Sequence, residues 1–141
     1  MNNLKPILVT VAAALLISVS AAAGGVKVIA NPSVKADSIS AEELKNVFLQ
    51  ERSSLADGSH VEPVLCKRGA AHEAFVGQYL GRSDSSLQIY YRSLVFTGKG
   101  SMPKAVASDA EMVAYVARTK GAIGYVSSEA GAEGAKTLQI K

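Results

Sequence analysis

The sequence predicts an α/β fold, a single three-layer domain with a mixed sheet, on three observations. Short β-rich runs at residues 26–30, 61–66, 122–126 and 137–141 alternate with segments of helical period, the pattern of helices laid against a sheet. The links between these runs are short, so neighbouring elements pack on one another. The 141 residues suffice for one core of ordinary size.

Taken in order, the chain opens with a targeting segment. Asn2-Asn3-Leu4-Lys5 carries one cation, residues 6–19 are almost wholly apolar, and Ser20-Ala21-Ala22-Ala23-Gly24 is small, which together make a secretory signal peptide. The apolar run approaches the roughly 20 residues of a membrane span, but the small residues at its end favour cleavage near Ala23, with Ala21 or Ala22 also serviceable. Residues 1–23 are therefore set apart as signal, and residues 24–141 form the domain, soluble and exported to the periplasm of a bacterium. The formal charge of +3 falls to about +2 when Lys5 leaves, and no cationic run points to nucleic acid.

Val26-Lys27-Val28-Ile29-Ala30 is a first strand, halted by Asn31-Pro32, and residues 33–38 read as a polar connector. Ser40-Ala41-Glu42-Glu43 has capping-box spacing, with Ile39 as staple, and opens a short helix that turns Leu44, Val47 and Phe48 inward. Residues 51–60 are loop, with Asp57-Gly58 as a turn before the strand at 61–66. A helix from Ala70 to about Leu80 buries Ala71, Phe75 and Tyr79 or Leu80, and Gly81 closes it. Ser83-Asp84-Ser85-Ser86 supplies N-caps for the next helix, in which Leu87, Tyr90, Tyr91, Leu94 and Val95 recur at helical spacing up to Phe96, the tyrosines as half-buried core.

Thr97-Gly98-Lys99-Gly100-Ser101-Met102-Pro103 is a loop made flexible by its glycines, without the spacing of a nucleotide phosphate loop. Ser108-Asp109-Ala110-Glu111 is a second capping box, and its helix runs through Met112, Val113, Val116 and Ala117 to Lys120-Gly121. A strand at 122–126, a small-residue loop at 127–135 and a closing strand at 137–141 complete the chain.

The chemistry concentrates where the strand at 61–66 turns into a helix. A helix opening after a strand presents unpaired N–H groups and the positive end of its dipole, and Lys67 and Arg68 add two charges there. The candidate anion site is Lys67, Arg68, Gly69, Ala70, Ala71 and His72, with Thr97, Gly98, Lys99 and Ser101 as a second loop. The competing reading makes Lys67 and Arg68 two solvated cations in a connecting turn. His60 and His72 read as surface histidines, too far apart in the chain for a catalytic constellation or a metal site, so no catalytic residue, metal or cofactor is expected. Cys66, the sole cysteine, forms no intramolecular disulfide and reads as a buried inert thiol.

The order of these motifs resembles the periplasmic substrate-binding proteins of phosphate-type ABC transporters. The matching pieces are Val28-Ile29-Ala30-Asn31-Pro32, the stretch from Ser40 to Leu49, Asp57-Gly58, the turn from Lys67 to Phe75 and Lys120-Gly121-Ala122-Ile123-Gly124-Tyr125-Val126. The resemblance implies a type II periplasmic binding protein-like fold, here a single α/β lobe where the family clamps its anion between two. It also implies a small inorganic oxyanion as ligand, phosphate first, and membrane transporter subunits as partners. The family's hydrogen-bonding Gly-Ser-Gly-Thr-like run is replaced by Gly69-Ala70-Ala71-His72-Glu73, and Ala70 and Ala71 have no side-chain donor. With hydroxyl donors and the opposing lobe missing, binding is expected to be weak unless a second chain closes the pocket.

Two functions are consistent with this. The first is a non-catalytic solute-binding component or accessory of a phosphate-type transport system. The second is an envelope protein-interaction module that has lost anion binding and uses the basic turn and the loop at 97–101 as contact surface.

Overall fold

The computed structural model describes residues 25–141, so the signal peptide expected at residues 1–23 lies outside the described residues. The last-but-one strand, β5 (Ala122–Ser127), is buried at five of its six positions, because both of its faces are covered. Gly124 and Tyr125 point to opposite sides of the sheet, as successive strand residues must. Against Gly124 lies Met112 of α4 (Asp109–Arg118), so close that a Cβ on Gly124 would stand 2.5 Å from its sulfur. Against Tyr125 lie Phe48, Phe75 and His72. These residues come from α1 (Ala41–Phe48) and α2 (Ala70–Phe75), which continues as a π-helical turn at Val76–Leu80. The expected three layers are present.

The remaining elements are β1 (Val26–Ala30), β2 (Ser38–Ile39), β3 (Glu62–Cys66), α3 (Asp84–Phe96), β4 (Lys104–Val106) and β6 (Lys136–Ile140). The six strands form one sheet in the order β2-β6-β1-β5-β3-β4. β1 is antiparallel to β5 and β6, while β2 with β6, β3 with β4 and β3 with β5 are parallel, which makes the sheet mixed. β2 and β4 are the two edges, and the sequence reading had neither. Two and three residues are too few for a period of two to show, so Ser38 reads as connector and residues 104–106, between the loop at 97–103 and the capping box at Ser108, carry no assignment.

Both expected capping boxes form by half. Ser40 Oγ accepts the N–H of Glu43 at 3.0 Å and Ser108 Oγ that of Glu111 at 3.2 Å. The reciprocal carboxylates go elsewhere: Glu111 Oε2 accepts from Ala107 N at 2.9 Å, and Glu43 Oε1 from Ala56 N at 3.4 Å. Asn31 does more than halt β1. Its amide donates to the carbonyls of Val116 and Ala117 and accepts from Ser33 N, which ties the strand's end to the last turn of α4. Gly81, at φ 64°, closes the π turn as expected.

Two helical faces differ from expectation. In α2 the buried positions are His72 and Phe75, with Val76 and Leu80 beyond, while Ala71 is half-buried, so the face is rotated by one residue. In α3, Leu87 and Tyr91 are buried but Val95 is 49% and Phe96 92% exposed, so the apolar face that the spacing predicts stops short of the helix's end.

Candidate functional site

β3 hands the chain to α2 through a turn that the register itself sets. Lys67 N still donates to Val106 O at 2.8 Å, one residue beyond the β3 to β4 ladder. Gly69 then takes φ 111° and ψ 170°, a conformation essentially confined to glycine, and α2 begins at Ala70. Among the described residues the N–H groups of Gly69, Ala70 and Ala71 donate to no protein acceptor, as expected for the first turn of a helix whose N-cap has no side chain. Lys67 and Arg68 are exposed, and neither forms an ion pair among the described residues.

A cavity of about 290 Å³ opens at this turn. Cys66 and residues 68–71 line one side, residues 107–109 and Ser127 the other. It lies at the carboxyl ends of three parallel strands, β3, β4 and β5, where open α/β sheets bind ligands. Arg68, Gly69, Ala70 and Ala71 are thus brought together; Lys67 lies beside the cavity and outside its lining. The facing wall was not singled out from sequence. Ser108 is the N-cap of α4, and Asp109 Oδ2 accepts from Ser127 Oγ at 2.8 Å and Ser127 N at 3.3 Å. Cys66 is buried as expected, its Sγ 3.2 Å from Arg68 O.

His72 corrects the sequence reading most sharply. The ring expected at the surface is 2% exposed, and it points under the turn rather than into the cavity. Nε2 lies 2.7 Å from Asp84 Oδ1, and Nδ1 is hydrogen-bonded to the Tyr125 hydroxyl. That hydroxyl also accepts the N–H of Cys66 at 3.0 Å. A carboxylate can only accept, so Nε2 carries the proton toward Asp84 and a singly protonated ring receives the Tyr125 proton at Nδ1. The chain of donors therefore runs from Cys66 N–H through Tyr125 and His72 to Asp84, and it links β3, β5, α2 and α3 beneath the candidate site. Tyr125 is stacked on Phe75 at 3.9 Å with planes 8° apart, and burial pushes its phenol pKa far up. Helical period could have warned of this: His72 stands three residues before Phe75 on the same face.

The second loop is elsewhere. Ser101 N donates to Gln50 Oε1 at 3.0 Å and Ser101 O accepts from Gln50 Nε2 at 2.6 Å, while Lys99 N and Gly98 N bond back to α3. The loop expected to be flexible is thus pinned at both ends. Ser101 lines a separate groove of about 380 Å³ beside Val47 and Tyr115, which shares no residue with the turn at 67–72. Thr97, Gly98 and Lys99 line neither cavity.

Among the described residues no group of three or more His, Cys, Asp or Glu side chains could hold a metal ion, and no helix is long and apolar enough to cross a membrane. No family model and no curated relative matches the sequence. Solved structures do. An ABC-type phosphate transport receptor from Vibrio cholerae superposes with a TM-score of 0.63 at 13% identity, over 82% of this chain and 46% of its own. A Clostridium perfringens protein solved with bound phosphate gives 0.61 at 12% identity, over 82% and 44%. A protein from Planctomyces limnophilus described as a possible phosphate binding protein gives 0.57 at 18%, over 83% and 41%. The chain spans less than half the length of these structures, and over the matched span it shares their α/β fold.

Proposed function

We propose that the protein is a non-catalytic periplasmic solute-binding component or accessory of a phosphate-type transport system, and that it takes a small oxyanion at the turn from Arg68 to Ala71. The observation that carries this reading is the 290 Å³ cavity that joins Arg68 to the free N–H groups of Gly69, Ala70 and Ala71 at the carboxyl end of β3. The likeness in fold to phosphate-transport binding proteins supports the class of ligand. Asp109 in the facing wall supports phosphate over sulfate: its carboxylate repels a bare anion, whereas hydrogenphosphate brings a proton that a carboxylate can accept. Affinity from the isolated chain is weak, because one lobe leaves the ion half-hydrated, and a second chain or transporter subunit closing over the turn would raise it.

A thermal-shift titration with phosphate and with sulfate tests this. Phosphate at ten times its Kd adds about 1.4 kcal/mol, about 5 °C in Tm. The Lys67→Ala/Arg68→Ala pair loses that shift, and sulfate gives less of it. One observation favours the interaction module instead: Phe96, 92% exposed, stands with Val95 beside the loop at 97–101. A Tm unmoved by phosphate, sulfate and organic phosphates would select that reading.

A further inference from the structure

β1 runs antiparallel to β5, and β5 parallel to β3, so the end of β1 meets the starts of β3 and β5 at the pole of the sheet opposite the turn at 66–71. Three loops converge there: the one after β1, the one before β3 and the α4 to β5 turn. They are cross-linked into one frame. Gly121 N donates to Ser33 Oγ at 3.0 Å, Lys35 N to Ser59 Oγ at 3.2 Å, and Glu62 N to Gly121 O at 2.9 Å. Gly121, at φ 79°, lies so close to the loop before β3 that a Cβ would stand 2.9 Å from His60 O. The loops enclose a cavity of about 310 Å³, and every residue in its lining is polar, charged or glycine.

From this geometry we infer a second oxyanion site, one that binds a phosphate or sulfate group between Lys35 and Lys120. Both lysines line the cavity, and neither forms an ion pair among the described residues. Ser33 and Ser59 also line it. Each oxygen accepts a backbone N–H; the Ser33 hydroxyl donates to no protein acceptor among the described residues, so its proton is left for a ligand, while the Ser59 hydroxyl also serves the Asp57 carboxylate. Asp57 is the one carboxylate in the lining, and its Oδ1 already accepts the N–H of Ser59 at 2.8 Å. That bond, with Lys35 nearby, holds its carboxyl below the ordinary value, so the cavity carries two cations against one anion. Two point charges and a free hydroxyl donor suit a compact tetrahedral anion better than a planar carboxylate, which a guanidinium fork would clasp. The small and wholly polar lining leaves no place for an apolar body.

The group can arrive as a free ion or on a lipid headgroup, and the test has an arm for each. The chain carrying Lys67→Ala and Arg68→Ala, which removes the cations of the first site, is titrated with inorganic phosphate and followed by backbone amide NMR. Saturable shifts at Ser33, Ser59 and Gly121 are expected, weakened at least about tenfold, or about 1.4 kcal/mol, when Lys35→Gln and Lys120→Gln are added. In the second arm, the same chain is sedimented with phosphatidylglycerol vesicles; binding lost with the same lysine pair assigns the group to a headgroup. Both lysines are exposed, so the substitutions leave the fold intact, which amide dispersion checks. No response in either arm, or a response that survives Lys35→Gln/Lys120→Gln, overturns the site. Phosphate binding by the unsubstituted chain that vanishes with Lys67→Ala/Arg68→Ala and never moves those three amides would uphold the first site and overturn this one.

Discussion

The turn at residues 66–71 and the layer directly beneath it are built on opposite principles. Below, both ring nitrogens of His72 and the hydroxyl of Tyr125 are bonded, and the two residues are 2% and 1% exposed. Above, Lys67 and Arg68 are exposed and unpaired among the described residues, and the N–H groups of residues 69–71 have no protein acceptor. Buried polar groups must be matched because leaving one unmatched costs about 1–3 kcal/mol, whereas water satisfies exposed ones at little cost. The lower layer therefore fixes where the turn sits, and the upper one is free to be spent on a ligand. Stability and binding should separate along this boundary.

The largest effects belong to the lower layer. His72→Ala leaves a cavity, an unpaired Tyr125 proton and an unpaired Asp84, and is expected to destabilise by about 3 kcal/mol in urea unfolding. Tyr125→Phe keeps the ring stack on Phe75 but orphans the Cys66 N–H and His72 Nδ1, for a similar loss. A loss under about 0.5 kcal/mol for both would show that the chain of hydrogen bonds does not hold the turn.

Alkaline pH attacks the same layer without mutation. Burial raises the phenols of Tyr91 and Tyr125 above the ordinary 10.0. A group whose folded pKa is raised favours the folded state fully below the unfolded value and loses that advantage as pH climbs from there toward the folded one. Stability should thus hold below pH 10.0 and fall above it, with buried tyrosines ionising only as circular dichroism is lost.

The boundary also marks what could be read from sequence. The strand at 61–66, the glycine turn and the helix behind it were legible because alternation, Gly69 and the period of Phe75 and Leu80 are local signals. β5 was legible for the same reason. The partners of His72 were not: Tyr125 is 53 residues away in the chain and Asp84 is 12, and pairings across that distance leave no periodic trace. Considered alone, a histidine beside Glu73 and near Arg68 reads as surface. Asp109 and Ser127 escaped likewise, since they meet the turn only once β5 and α4 are packed. Edge strands β2 and β4 were lost to brevity.

Gly69→Ala probes the boundary itself. No atom lies within 4 Å of where its Cβ would go, so there is no clash, but φ 111° is strained for any side chain. The expected cost is about 2 kcal/mol, smaller than that of breaking the layer below, and it comes with a weakened phosphate response because the free N–H groups move. Gly124→Ala makes a useful contrast, since there the penalty comes from contact with Met112 and is relieved by shortening that side chain. A Gly69→Ala chain that lost stability yet bound phosphate unchanged would place the ligand away from the amides.

The smallest effect has the most informative sign. Lys67 and Arg68 precede the first turn of α2, and a helix N-terminus carries partial positive charge that opposes cations by about 0.3–1 kcal/mol each at low salt. Neither side chain has an ion pair to lose among the described residues. Replacing both with alanine should therefore leave the unliganded protein as stable as before or a few tenths of a kcal/mol more stable, with the gain shrinking as salt screens it. The same change is expected to abolish stabilisation by phosphate. Cations kept where they strain the free protein and reward an anion are what a binding turn requires. Two cations whose removal cost stability would instead be holding the turn together, and the case for a ligand there would fail.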